Sequence, residues 1–320
     1  MKTKLIVMTG IAGSGKSSWA KEIAKKERAT IISTDEIRQR LFGDEDRQKR
    51  TAQVFYEVYS KMDNELAQGK NVILDATNID REKRMKVLSK FPDTQKECYY
   101  LDVPYAICLD RNRSRKRKVD EFIMTKMRKN FHFPIFNEGW EGIYLLHEPM
   151  PYSISKEEFV QLVKSEPAYD ALFEKLSMIP VFQEMFGFNQ ENPHHRHTLC
   201  KHTYHVLDYV NAFYTESDKF LMQVVALFHD AGKPFCKTYK PLKGHYSYYG
   251  HEYVSAQIAC HFLKELGFED EFIFQAVNLI QMHMKINYGT QKDLSEIYHL
   301  LGDEALWRLY FFKEADAYAK

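Results

Sequence analysis

Gly10-Ile11-Ala12-Gly13-Ser14-Gly15-Lys16-Ser17 stands near the start of the chain, directly after the apolar run Leu5-Ile6-Val7-Met8-Thr9. The pattern GxxxxGKS between a strand and a helix is a phosphate-binding loop. Its glycines let backbone N–H groups turn inward around phosphate oxygens, and the following helix presents its positive end to them. Gly10, Gly13, Ser14 and Gly15 form the cradle. Lys16 is placed to neutralise the β- and γ-phosphates, and Ser17 to ligate Mg²⁺. The loop implies ATP or a similar triphosphate without choosing between a kinase and an ATPase.

Outward from the loop, strand and helix alternate. Lys4–Thr9, Thr30–Ser33, Val72–Asp75 and Cys98–Asp102 read as strands. Ser17–Lys26, Arg47–Gln68, Arg81–Lys90 and Tyr105–Arg113 read as helices. That alternation predicts a parallel sheet wound by helical crossovers. Asp35 and Arg38 follow the second strand three residues apart and share a helical face toward the ligand crevice. Asp35 could accept a hydroxyl proton and Arg38 hold a phosphate; spacing alone favours a plain helix cap for Asp35. Asp75 ends an apolar strand, where it either orients the Mg²⁺ shell beside Ser17 or closes an ordinary turn. Residues 111–118, RNRSRKRK, carry six positive charges in eight residues. Such a run is a solvated face, a nucleic-acid patch, or a lid whose arginines stabilise charge on a transferred phosphoryl group.

The rest of the chain has a different chemistry. Eleven of 13 histidines lie at or after His194. Strand signal nearly vanishes there, and apolar spacing turns helical, as in Phe220/Leu221/Val224/Val225/Phe228. The two prolines of Pro149–Ser155 mark the seam. The 320 residues are therefore expected as an α/β P-loop domain over 1–150, a linker over 151–164 and an all-α domain over 165–320. Forty-five Lys and Arg against 44 Asp and Glu exclude a globally basic nucleic-acid coat. Five scattered cysteines without CxxC spacing point away from a disulfide framework, and no apolar run spans a bilayer. A cytoplasmic, membrane-free location is expected.

His229-Asp230 closes the apolar helix and precedes Ala231-Gly232-Lys233. His202 lies one helix upstream. Asp316 shares a helical stripe with Leu309 and Phe312, where a carboxylate is costly unless paired or metal-bound. Imidazole and carboxylate ligands without thiolate suit Mn, Fe, Ni, Co or Zn. Such a metal makes water more acidic and hence a better nucleophile toward phosphorus. Lys233 meets a phosphate or is a solvated turn residue. His194, His195 and His197 line the mouth or are simply solvated.

GIAGSGKSSWA, STDEIRQRLFG, ILDATN, DVPYAICLDRNRSR and KMRKNFHFPIFNEG together resemble the kinase domain of phage 5′-hydroxyl polynucleotide kinases, in order, over about residues 1–145. The resemblance implies ATP and Mg²⁺ on Lys16 and Ser17, a general base at Asp35, an acceptor-binding Arg38 and a lid arginine at Arg115, with Arg111 opening the same motif. The aspartyl-phosphate phosphatase motif of those enzymes, DxDxT, has no counterpart; Asp44-Glu45-Asp46 lacks both the strand and the Thr. From about 165 onward, His202, His229-Asp230 and Asp316 resemble the ligand signature of HD phosphohydrolases, closest to the branch in tRNA nucleotidyltransferases. It implies these four as metal ligands, with His251 and His283 matching positions that hold a second metal or the phosphate. The pairing is similar to bacterial HD–polynucleotide kinase fusions with the domain order reversed. It implies a two-headed end-healing enzyme on RNA or DNA ends, preparing them for an RNA ligase that acts afterwards: phosphorylation of 5′-OH ends, and removal of 2′,3′-cyclic or 2′/3′-phosphates. The alternative is a small-metabolite or nucleoside kinase fused to an HD nucleotidase or nucleotide sensor.

Overall fold

The apolar run Leu5–Met8 forms the middle of a five-stranded parallel sheet, and its side chains are buried. A strand covered on both faces carries such an unbroken run. The computed structural model describes residues 2–43, 51–193 and 196–320. The strands are β1 (Lys4–Thr9), β2 (Ala29–Ser33), β3 (Asn71–Asp75), β4 (Gln95–Asp102) and β5 (Gly142–His147), in the order β2-β3-β1-β4-β5. Every pair is parallel. The connections carry α1 (Lys16–Glu27), α2 (Thr34–Phe42), α3 (Thr51–Ala67), α4 (Arg81–Lys90), α5 (Tyr105–Ser114) and α6 (Glu121–Lys129). The helix expected over Arg47–Gln68 is seen from Thr51; residues 47–50 lie outside the described residues, as do Asp44, Glu45 and Asp46.

Register places the chemistry. Met8 and Ser33 both pair with Asp75, so β1, β2 and β3 end level. The phosphate loop, Asp75 and the start of α2 therefore share the carboxyl edge of the sheet, where open α/β sheets bind ligands. Beneath that edge lies a buried ionic network. Glu138 accepts from Arg84 Nε at 2.8 Å and Nη2 at 2.7 Å, and from Trp140 Nε1 at 3.1 Å. Arg81 Nε is 3.4 Å from the same carboxylate. Arg84 also donates to the carbonyl of Asn78 at 2.9 Å, and Asn78 Nδ2 donates to the Met8 carbonyl at 2.8 Å. The network ties the end of β1 to the turn after β3.

The chain divides into two compact units. The first is Met1–Met127 with Phe136–Glu148, and the second is Arg128–Ile135 with Pro149–Lys320. The segment Arg128–Ile135, expected inside the first domain, is thus a strap of the second unit. Gln257 donates to the Arg128 carbonyl at 2.9 Å and Gln281 to the Phe133 carbonyl at 3.2 Å. Phe131, Phe133 and Ile135 are buried, and burial of three apolar side chains holds the strap there.

The second unit contains α7 (Lys156–Lys164), α8 (Tyr169–Leu176), α9 (Pro180–Gln183), α10 (Leu199–Phe213), α11 (Lys219–Phe228), α12 (Lys233–Cys236), α13 (His251–Glu265), α14 (Asp270–Tyr288) and α15 (Gln291–Tyr318). The expected linker 151–164 is corrected by α7. Ser155 and Glu158 form a capping box, and Phe159 and Val163 are fully buried. Phe159 meets Phe262 at 5.1 Å between ring centroids, and Phe262 meets Phe228 at 5.2 Å. From Leu221 to Phe228 every side chain of α11 is buried, as a helix apolar all round requires. The second half also contains one hairpin that helical periodicity concealed, β6 (Thr238–Lys240) paired antiparallel with β7 (His245–Ser247). Among the described residues no helix is long and apolar enough to cross a membrane.

Candidate active sites

In the first unit the glycine loop has the backbone its sequence demands. Gly13 has φ 82° and Gly15 φ 89°, the left-handed region that side chains avoid. A Cβ on Gly13 would also collide with the Cys108 carbonyl, so α5 packs directly against the loop. Ser14 Oγ donates to the Ile11 carbonyl at 2.9 Å and Lys16 Nζ to the same oxygen at 2.8 Å. Burial pulls the Lys16 ammonium down to about 8, with Asp75 opposing and the Arg115 charge assisting. Ser17 Oγ donates to Asp75 Oδ2 at 2.7 Å. This hydroxyl–carboxylate pair offers two oxygen ligands of the kind Mg²⁺ takes.

The cap of α2 is Ser33, whose Oγ accepts from the Glu36 N–H at 3.4 Å. Asp35 therefore does not cap the helix. Its carboxylate lies between Arg38 Nη1 at 2.9 Å and Arg117 Nη1 at 3.3 Å, with the Asp35 side chain 53% exposed. Arg38 is buried, and its Nε has no hydrogen-bond partner among the described residues. Arg115 is exposed at the end of α5. Arg111 pairs with Glu148 at 2.9 Å and Arg113 with Glu121 at 2.7 Å. Of the basic run, Arg117 reaches the Asp35 carboxylate. Sequence reasoning did not single it out, because six cations in a row look alike.

In the second unit, five helices deliver one cluster. His202 stands on α10, His229 and Asp230 follow α11, His251 opens α13, His283 is on α14 and Asp316 on α15. His202 Nε2 is 3.3 Å from His229 Nε2, 3.3 Å from Asp230 Oδ2 and 3.2 Å from Asp316 Oδ1. His229 Nε2 is 3.2 Å from Asp230 Oδ2. The other oxygen of Asp230 lies 3.0 Å from His251 Nε2 and 3.9 Å from His283 Nε2. One carboxylate thus belongs to two triplets, His202–His229–Asp230 and Asp230–His251–His283. All six side chains are buried.

The imidazoles are held from behind. Nδ1 of His202 faces the Ala319 carbonyl at 3.1 Å, that of His229 the Ala226 carbonyl at 2.8 Å, that of His251 the Tyr248 carbonyl at 2.8 Å and that of His283 the Ile280 carbonyl at 2.7 Å. A carbonyl only accepts, so each Nδ1 carries the proton and each Nε2 is turned to the cluster. Asn287 donates to Asp316 Oδ2 at 2.9 Å. Lys233, one of the two readings of which was a solvated turn, is buried and donates to Asp230 Oδ2 at 2.7 Å and Gln190 at 2.8 Å. Gly232 lets α13 close on this turn; a Cβ there would strike the His251 carbonyl.

Electrostatics follow the geometry. Burial works against the His202 imidazolium, yet Asp230 and Asp316 hold it up at about 9. Burial also opposes the Asp230 carboxylate, and His229 and Lys233 keep it well below the usual range. Burial together with the His251 and His229 charges pushes His283 down to about 3, leaving a neutral imidazole. Nitrogen and carboxylate donors converging without thiolate fit a divalent transition metal. Of the mouth histidines, His194 and His195 lie outside the described residues, and the His197 ring lies 4.8 Å from that of His205.

Residues 5–134 match the family model described as an AAA domain, and residues 199–320 match the HD domain model. The chain joins a P-loop AAA domain to an HD domain. A 135-residue stretch, 40% of the chain, is 29% identical to the CC-adding tRNA nucleotidyltransferase of Thermus thermophilus and covers 31% of it. The chain thus spans about a third of the length of that curated relative. Two solved structures resemble part of the chain. The Pnkp1/Rnl/Hen1 complex does so at 21% identity over 49% of this chain and 50% of that one, with TM-score 0.34. A gluconokinase from Sinorhizobium meliloti 1021 does so at 19% identity over 46% and 84%, with TM-score 0.35. The AAA domain implies ATP with a divalent metal, and the HD domain implies metal binding.

Proposed function

We propose that the protein is a two-headed enzyme of nucleic-acid ends, most simply RNA ends. The AAA domain transfers the ATP γ-phosphate to a 5′-OH, and the HD domain removes a 2′,3′-cyclic phosphate or a 2′- or 3′-phosphate. The observation that carries this reading is the Asp35 carboxylate, free of any capping duty and held between two arginines on the same sheet edge as the phosphate loop. An ATPase that activates only water has no need of such an acceptor pair. Asp35 takes the proton as the acceptor oxygen bonds to phosphorus and the bond to the β-phosphate breaks. Arg38 orients the acceptor, Lys16 leaves the Ile11 carbonyl for the phosphates, and Arg115 and Arg117 balance the spreading charge. Ser17 and Asp75 would hold Mg²⁺.

In the HD domain, His202, His229, Asp230 and Asp316 would hold one divalent metal, with His251 and His283 offered to a second. Such a metal supplies Lewis acidity toward water and phosphoryl oxygen. The backbone carbonyls fix each imidazole, and Lys233 steadies the shared Asp230. The curated relative, by its name an enzyme acting on tRNA, is consistent with a polynucleotide substrate.

The test is one RNA carrying a 5′-OH and a 2′,3′-cyclic phosphate, incubated with Mg²⁺, ATP and Mn²⁺ or Ni²⁺ and weighed at both ends. Gain of a 5′-phosphate with loss of the cyclic phosphate is expected. Phosphorylation of free nucleosides with both RNA ends unchanged would overturn the proposal.

A further inference from the structure

The β6–β7 hairpin is inserted between Asp230 and His251, two members of the HD cluster. Residues 237–249, KTYKPLKGHYSYY, contain three lysines, one histidine and four tyrosines, with no carboxylate. The base of the hairpin is anchored. Lys237 pairs with Glu191 at 2.6 Å, and Asn192 donates to the Tyr246 carbonyl at 2.8 Å. The return strand runs straight into the site. Tyr248 gives its carbonyl to His251 Nδ1 at 2.8 Å, and its ring lies 5.7 Å from the Lys233 ammonium that holds Asp230.

The two faces differ. In the antiparallel register Tyr239 opposes Tyr246 and Lys240 opposes His245, so successive side chains alternate between the faces. On one face Tyr239 packs against Tyr246 at 5.3 Å, beside Lys237. On the other, the Tyr249 ring is 64% exposed, and two ammonium groups approach it, Lys240 at 5.4 Å and Lys243 at 5.6 Å. A large ring left in solvent beside two cations adds nothing to the core. It is the combination that holds a single strand, a platform for a base with charges for its phosphates. An acidic peptide would use the cations and leave the ring idle.

We propose that the Lys240–Lys243–Tyr249 face is the arm that binds the single-stranded 3′ end of a nucleic acid as it enters the HD site. Tyr249 stacks on a base near the end, and the two lysines swing from its ring to the flanking phosphates. This rests on the reading of the HD site as one for nucleic-acid ends.

The experiment uses the full chain, without added metal, and a 12-nucleotide RNA with a 3′-phosphate and 4-thiouridine as its penultimate base. After irradiation, the cross-linked peptide is located by mass spectrometry. A cross-link within residues 237–251 is expected. Tyr249→Ala should cut its yield about fivefold or more, and Tyr249→Phe should preserve it. Lys240→Gln with Lys243→Gln should flatten the log–log salt dependence of that yield by about 1.4, the share of two single-strand phosphates. Tyr239→Ala, on the opposite face, should match the wild type. Cross-links confined to other peptides, or a yield indifferent to Tyr249→Ala, would overturn the inference; so would an equal loss in Tyr239→Ala, which would mark mere damage to the hairpin. Phosphate release from the same RNA with metal is read separately, so failure of the hydrolase reading shows there.

Discussion

The two sites are built on opposite plans. In the AAA domain the candidate site groups sit on loops and helix starts, and they are engaged with one another: Lys16 with the Ile11 carbonyl, Ser17 with Asp75, Asp35 with Arg38 and Arg117. On the proposed function each of those contacts is exchanged when substrates arrive. In the HD domain the groups come from five packed helices, are buried, and are pinned at Nδ1 by backbone carbonyls. A site that clasps a leaving and returning nucleotide has to rearrange. A site that keeps a metal gains affinity from staying put.

The stiffness of the first site therefore lies below its loop, in the Arg84–Glu138 network. Glu138→Ala leaves buried guanidinium charge without its carboxylate and should cost about 3–5 kcal/mol, read as loss of stability in urea titration. A cost near zero would mean the sheet edge is not held there, and the contrast would fail. A smaller effect is expected in the HD domain. Asn287→Ala frees Asp316 Oδ2 and should weaken metal affinity about 10- to 100-fold by competition with a chelator, leaving ATP affinity unchanged. The smallest effect concerns pH. Lys16 sits near 8 in the free protein, and phosphate oxygens raise it, so ATP binding takes up a proton above pH 8. Affinity should fall as pH rises through 8, by at most tenfold per unit. Calorimetry in buffers of different ionisation enthalpy would show the uptake, and its absence at pH 9 would mean Lys16 does not exchange the Ile11 carbonyl for phosphate.

Much of this was legible before the structure. The glycine loop, the alternation of strand and helix and the face shared by Asp35 and Arg38 are local patterns, and local sterics enforce them. The residues alone offered the adjacent His229-Asp230 pair and a costly Asp316 on an apolar stripe, but the full ligand set was legible through resemblance, because His202, Asp230 and Asp316 are far apart in sequence and no periodicity joins them. What escaped reading was mostly long-range pairing. Glu138 meets Arg84 across 54 residues, and nothing near either one announces the partner. Edge strand β5 was missed because only Ile143 of its residues is buried and the rest do not alternate. The hairpin was missed because its strands are three residues each, too short to show a period.

The strap Arg128–Ile135 has a consequence for the order in which the protein is made. Phe133 leaves the ribosome long before Gln281, its partner 148 residues later. At usual synthesis rates that interval is roughly seven to thirty seconds. Through it the apolar side chains of the strap have no finished surface to enter, while the chain on both sides of it already belongs to the first unit. The second unit thus closes backward onto a segment already translated. Two genes cut at the apparent seam near Pro149 would yield a second product lacking the piece that completes its own core.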